Sequence, residues 1–183
     1  MNSDPHQNGG RRGLFLDRDG VINEPPQHGA RYITSPDQLR LMTGVAEGIE
    51  RFRQRGYMPV VVTNQRCVAL GLVSQTTLDQ IHERLRELLR AQGTDVEDIF
   101  VCPHDDRDQC ECRKPKPGLL HQAAVTHAVC LTESILIGDS ERDIAAGQSA
   151  GCRTILLGRS PGDGRTHIAD MTAMTWNDIG PGL

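Results

Sequence analysis

Asp17 and Asp19 stand two residues apart where the apolar run LFLD (14–17) ends. Carboxylates at that spacing can hold a hard divalent cation such as Mg²⁺ through oxygen. One can also attack phosphorus while the other moves a proton. Such pairs also occur on ordinary solvated loops. A third acid, Asp139, follows the apolar run of SILIGDS (134–140), with Asp143 four residues on. Three carboxylates brought together repel one another unless a cation lies between them. Asp143 also suits the first turn of a helix, where a negative charge favours the dipole. The run VVVTN ends on Thr63 and Asn64, a hydroxyl and an amide that either donate to phosphate oxygens or close a strand. In CRKPKPG (112–118), Lys114 or Lys116 supplies a cation for a phosphate, and the other belongs to a solvated loop.

A second cluster lies between these acids. Cys102, His104, Cys110 and Cys112 read C-x-H-x5-C-x-C. Three thiolates and an imidazole suit tetrahedral zinc, and with all four positions filled by protein the ion is structural. A disulfide would leave one of the three cysteines over. Cys67, Cys130 and Cys152 read as packed thiols. His82, His121 and His127 read as surface or packing residues, while His28 is a candidate substrate contact.

These residues need a frame that brings strand ends together. LFLD (14–17), MPVVVTN (58–64), DIFVC (98–102), SILIGDS (134–140) and RTILLG (153–158) read as buried strands, apolar without alternation as parallel strands are. Between them lie helices. Residues 44–56 carry Val45, Ile49 and Phe52 on one face, with Thr43 as the expected N-cap and Gly56 at the C-terminus. Residues 74–93 carry Leu78, Ile81, Leu85, Leu88 and Leu89, capped by Ser74 and ended by Gly93. Residues 117–128 begin with a proline, and residues 141–151 follow a capping-box-like Ser140 and Asp143. Residues 160–167 read as a loop. Strand–helix alternation predicts an α/β fold with a parallel sheet and right-handed crossovers, in which ligands bind at the carboxyl ends of the strands.

Composition sets limits on the rest. At 183 residues, the chain suits a polar Gly-rich tail at 1–12, expected to be disordered, and one domain over 13–183. With one Trp, two Tyr and three Phe, the core must come from Val, Ile, Leu and Ala. A net charge of −4 points to neither nucleic acid nor membrane as a partner. The N-terminus lacks the apolar segment of a signal peptide, and no run approaches a membrane span of roughly 20 residues. The expectation is a cytoplasmic monomer with reduced cysteines.

The order of motifs, FLDRDGVIN, then VVVTNQ, then CRKPKPG, then IGDSERD, resembles the haloacid dehalogenase (HAD) superfamily of phosphohydrolases over about residues 13–158. The finer pattern, with CPH and C-x-C before RKPKPG, resembles the D-glycero-D-manno-heptose 1,7-bisphosphate phosphatases and their relatives, the histidinol-phosphate phosphatases. The resemblance implies a Rossmann-like HAD fold with a central parallel sheet flanked by helices, a zinc-binding loop and no large cap domain. It implies a Mg²⁺-dependent phosphoric monoester hydrolase that removes the 7-phosphate of a heptose 1,7-bisphosphate. The alternatives are histidinol phosphate or another small sugar phosphate as substrate, and, outside enzymes, a zinc-loop binding module for an acidic partner.

Roles follow position by position from that resemblance. Asp17 is the nucleophile and forms an aspartyl-phosphate. Asp19 protonates the leaving oxygen and then activates water. Thr63 and Lys114 hold phosphoryl oxygens. Mg²⁺ sits on the carboxylates of Asp17 and Asp139 and the backbone carbonyl of Asp19. The resemblance makes Arg113 a substrate contact; apart from it, Asn23, His28, Asn64, Gln65 and Arg66 are further expected contacts. The chain departs from the family's T-N-Q-S-G-x-x-R-G, reading TNQRCVALG (63–71). Leu70 stands where the family has arginine, so Arg66 is expected to bind phosphate in its place.

Overall fold

A computed structural model describes residues 10–26, 29–158 and 169–180. Six strands form one sheet: β1 (Arg12–Leu16), β2 (Tyr57–Asn64), β3 (Asp98–Cys102), β4 (Ile135–Gly138), β5 (Arg153–Leu157) and β6 (Met171–Ala173). All neighbours are parallel, in the order β3-β2-β1-β4-β5-β6. Four helices connect them: α1 (Val45–Gln54), α2 (Gln75–Ala91), α3 (Gly118–His127) and α4 (Glu141–Ser149).

The two-residue period of a strand divides its apolar side chains between two cores. Leu14, Leu16, Val61, Ile135 and Ile137 pack with Ile49 and Phe52 of α1 and Leu78, Ile81 and Leu85 of α2. Phe15, Val60, Val62 and Leu136 pack on the other face with Leu119, Leu120 and Ala123 of α3 and Ala146 of α4. Both faces are covered, which is why these strands read as unbroken apolar runs. No helix among the described residues is long and apolar enough to cross a membrane.

The chain builds outward from β1 to β2 and β3, then returns to place β4 on the other side of β1. This reversal opens a crevice beyond the carboxyl ends of β1 and β4. Asp17 follows β1 directly, and its N–H donates to the Ile137 carbonyl of β4 (3.0 Å). Asp139 follows β4 directly.

The structure differs from expectation in four places. Residues 10–12 are not tail: Arg12 opens β1, and the Arg11 N–H donates to the Ala128 carbonyl (3.1 Å). Strand pairing there needs only backbone partners, so the polar sequence gave no sign of it. Thr43 does not cap α1, because Gly44 takes the N-cap position in a left-handed conformation. β6 was not foreseen, since three residues are too few to show a period. Cys130 is half-buried beside Thr132 Oγ1 (3.3 Å) rather than a core thiol. Residues 1–9, the expected contact His28 and the 160–167 loop lie outside the described residues. Between β1 and α1, and between β3 and α3, the described residues contain only short 3-10 turns at Pro36–Gln38 and Asp106–Asp108.

Candidate active site

A cavity of about 450 Å³ lies over these strand ends, lined by Asp17, Asp19, Thr63, Lys114, Asp139 and Asp143, with arginines at its mouth. Gly20 has φ +84°, a conformation that side chains resist, and a Cβ there would overlap the Asp139 carboxylate. The turn after β1 can therefore close against β4 only with glycine at this position.

At the floor, Lys114 is buried and its Nζ uses all three donors. They reach Asp17 Oδ1 (2.7 Å), Asp143 Oδ1 (2.5 Å) and the Val62 carbonyl (2.8 Å). Burial alone would lower this ammonium's pKa, but Asp143 and Asp17 hold it above the usual lysine range. Asn64 fixes the lysine's backbone: its Nδ2 donates to the Lys114 carbonyl and its Oδ1 accepts from the Lys114 N–H, both at 3.1 Å. Asn64 borders the cavity, yet its amide is committed to Lys114 rather than free for substrate.

Burial pushes Asp17 up to about 7, with Lys114 opposing and the charges of Asp143 and Asp139 adding to the rise. Burial and then Asp143 push Asp139 up to about 6. Oxygens of Asp17, Asp139 and Asp143 all lie within 4.8 Å of one another. A cluster of oxygen donors that raises its own proton affinity fits a hard divalent cation. Asp143 is the least available of the three, since Lys114 holds one oxygen and Ser140 the other, through its hydroxyl (2.5 Å) and N–H (3.2 Å). The carboxylate of Asp19 is not in this cluster.

Asp19 is held from below. Its Oδ1 accepts from Asn23 Nδ2 (2.9 Å) and its Oδ2 from Gln65 Nε2 (3.2 Å) and Arg18 Nη2 (2.9 Å). Burial would raise its pKa, but the Arg18 guanidinium and these amides hold it below the usual carboxylate range. Asn23 and Gln65, expected at the substrate, are thus buried beneath Asp19 and absent from the cavity wall. An amide beside a carboxylate motif carries no sign of which way it faces. Gln65 also donates to Thr63 Oγ1 (2.8 Å), which leaves the threonine O–H to donate into the cavity.

Arg66 and Arg113 line the cavity. Arg66 pairs with Asp105 (2.8 Å) and Arg113 with Asp106 (2.5 Å). Arg31 and Tyr32, from the 24–33 segment expected at the substrate rim, and Arg142, within IGDSERD but given no role there, also line the cavity. Cys102, His104, Cys110 and Cys112 converge beside the mouth, with Sγ–Sγ and Sγ–Nδ1 separations of 3.2–3.6 Å. The sulfurs are too far apart for disulfides. Bonds of about 2.3 Å to a tetrahedral zinc would put sulfurs about 3.8 Å apart, so the four ligands nearly match an ion's requirements.

Comparison with known proteins agrees with this geometry. The family described as HAD-hydrolase-like matches residues 111–174. Two curated relatives are D-glycero-beta-D-manno-heptose-1,7-bisphosphate 7-phosphatases. That of Bordetella bronchiseptica is 38% identical, covering 85% of this chain and 84% of its own. That of Pseudomonas aeruginosa is 40% identical, covering 79% of each. The crystal structure of the D,D-heptose 1,7-bisphosphate phosphatase from B. bronchiseptica, complexed with magnesium and phosphate, superposes with a TM-score of 0.80 at 32% identity, covering 92% of this chain and 95% of that one. The chain belongs to the HAD superfamily of phosphatases and is a phosphoric monoester hydrolase. Among the members compared, it is similar to the heptose bisphosphate phosphatases along most of its length.

Proposed function

We propose that the protein is a Mg²⁺-dependent phosphatase that removes the 7-phosphate of D-glycero-D-manno-heptose 1,7-bisphosphate and leaves the heptose 1-phosphate. One observation carries this reading. Asp17, the buried Lys114 and Asp139 meet at the floor of a cavity whose mouth holds four arginines. A bisphosphate needs cationic contacts at two places, and Lys114 with the cavity's arginines, two of them paired with Asp105 and Asp106, supports that reading. The names of the similar proteins support the same substrate.

Asp17 Oδ1 is bound by Lys114, leaving Oδ2 to attack phosphorus. The P–O bond to the sugar breaks, an aspartyl-phosphate forms, and the leaving oxygen receives a proton relayed by Asp19, which is ionised at rest and first takes that proton from solvent or from the phosphate monoanion. Asp19, now a carboxylate, takes a proton from water. That water attacks phosphorus, releases inorganic phosphate and regenerates Asp17. The Thr63 hydroxyl donates to an equatorial oxygen, and Lys114, whose three donors are taken at rest, offers its positive charge to the phosphoryl group or trades one carboxylate partner for a phosphoryl oxygen. Mg²⁺ on Asp17, Asp139 and the Asp19 carbonyl would neutralise phosphoryl charge, the main requirement of this chemistry.

The cysteine and histidine ligands hold a structural zinc that shapes the loop delivering Arg113 and Lys114. None of the six cysteines is in a disulfide, which supports a reducing compartment. Among the described residues the exposed large apolar side chains are few: Leu70 and Leu72 share the loop before α2, Val125 lies on α3 and Met174 follows β6, a scatter that supports a monomer. The test is a comparison of kcat/KM for heptose 1,7-bisphosphate and histidinol phosphate, with Asp17→Asn as control. Higher efficiency towards histidinol phosphate would overturn the substrate. An active Asp17→Asn would overturn the covalent route. Arg66→Ala is expected to raise KM for the bisphosphate, and an unchanged KM would remove Arg66 from the second phosphate.

A further inference from the structure

Arg18 is fully buried, although a guanidinium is among the costliest groups to desolvate. Its Nη2 and Nε face Asp19, at 2.9 Å from Oδ2, and at 3.1 and 3.3 Å from Oδ1. Its remaining nitrogen, Nη1, lies 3.2 Å from His82 Nε2. His82 projects from α2, among Leu78, Ile81, Leu85 and Leu89, and is 8% exposed. A guanidinium only donates, so Nε2 must be the acceptor and the ring proton must sit on Nδ1. A leucine would pack this face at lower cost. The polar side chain makes sense through what it holds.

We infer that His82, acting through Arg18, is a positioning residue for Asp19, fixing the plane of the guanidinium so that one edge meets the carboxylate squarely. This rests on the reading of Asp19 as the group that moves the proton. Arg18 has several rotatable bonds, and its contact with Asp19 alone does not set its rotation. The second anchor on Nη1 does. Asn23 and Gln65 then complete the cradle, so both oxygens of Asp19 have set directions two residues beyond the nucleophile. Proton transfer depends steeply on such alignment, and a misplacement of about 1 Å can cost on the order of 100-fold.

The test compares His82→Leu, which removes the acceptor, with His82→Gln, whose Oε1 can take the place of Nε2. Each is assayed on an alkyl phosphate and on nitrophenyl phosphate, whose leaving group needs little protonation. His82→Leu is expected to lose about tenfold or more in kcat/KM on the alkyl ester, which reports the step in which the leaving oxygen is protonated, and less on the aryl ester. His82→Gln should recover most of it. A loss equal on both esters, or one that glutamine fails to recover in a folded protein, would overturn the proposal. So would His82→Leu with full kcat/KM. Both esters are generic, so an error in the heptose assignment leaves the comparison intact. Activity in Asp17→Asn would count against the covalent route alone. Nitrogen NMR of the wild-type imidazole reads the geometry without any assay: a proton on Nδ1 supports the proposal, and one on Nε2 refutes it.

Discussion

Replacing Lys114 with methionine keeps the length of the side chain and removes its charge and donors. Asp17 Oδ1, Asp143 Oδ1 and the Val62 carbonyl would all be left without a partner at once. Asp143 is 2% exposed and Asp17 14%, so water can reach little of either. Removing one member of a buried pair costs about 3–5 kcal/mol, because a charge stays behind uncompensated. A domain of this kind has about 5–15 kcal/mol in all. Lys114→Met should therefore fold, with a clearly lower urea midpoint when measured without Mg²⁺, whose binding would mask the loss. The loss should shrink by about 1–3 kcal/mol in an Asp143→Asn background, where one carboxylate has already gone. Loss of the cation facing the phosphoryl oxygens should cost about 100- to 1000-fold in kcat. A stability loss under about 1 kcal/mol, with Asp143→Asn simply additive, would refute the claim that Lys114 neutralises both acids. Retention of kcat within about tenfold would remove it from the reaction.

Three further outcomes are expected. Stripping zinc with a chelator, followed by restoring Mg²⁺ alone, should leave activity low, with recovery on adding zinc; full kcat/KM in zinc-free protein would show that the loop does not position Arg113 and Lys114. Gly20→Ala should lower both stability and activity by straining a positive φ and overlapping Asp139, so a variant with wild-type melting and kcat would contradict the close approach of β1 and β4. Burial first, and then Arg18, hold His82 at about 4 against an ordinary 6.5. As pH falls from 6.5 to about 4, the unfolded chain takes the proton first, so this histidine's contribution is complete above pH 6.5 and is lost towards pH 4. The difference corresponds to about 3 kcal/mol. Urea midpoints of wild type should fall more steeply than those of His82→Gln across that window, and parallel curves would refute the shift.

The parts of the site that could be read in the sequence are those with local signatures. Asp17 and Asp139 each end an apolar run, and the parallel sheet brings such ends to one edge. The cysteine–histidine cluster declares itself by spacing within eleven residues. Arg18 lies within FLDRDG and His82 was read as a surface or packing residue, but nothing local links them. Their contact spans 64 residues and joins a strand end to a helix. Asn23, Asn64 and Gln65 show a different limit. Each stands beside a catalytic motif, but which way an amide faces depends on how the backbone turns. The Gly20 N–H donates to the Asn23 carbonyl (2.8 Å), closing a turn that sends the Asn23 side chain back under Asp19.

Backbone placement also gives the proposed zinc loop a purpose beside a site whose proposed chemistry makes no use of zinc. Lysine has the most flexible of cationic side chains, and ordering it costs up to about 2 kcal/mol. A phosphatase that relies on lysine must fix its backbone first. Here the last pair of the β2–β3 ladder is Asn64 with Cys102, and the Gln65 N–H donates to the Cys102 carbonyl (2.8 Å). One strand end thus supplies the first cysteine, and its neighbour supplies the amide that holds Lys114. Cys112 lies two residues before the lysine. The loop is pinned at both ends of the cysteine cluster, and Asn64 grips it just beyond. Weakening either restraint should scatter the same ammonium, so zinc removal and Asn64→Ala should lower kcat by overlapping rather than additive amounts. Strict additivity between them would show that they act on different groups.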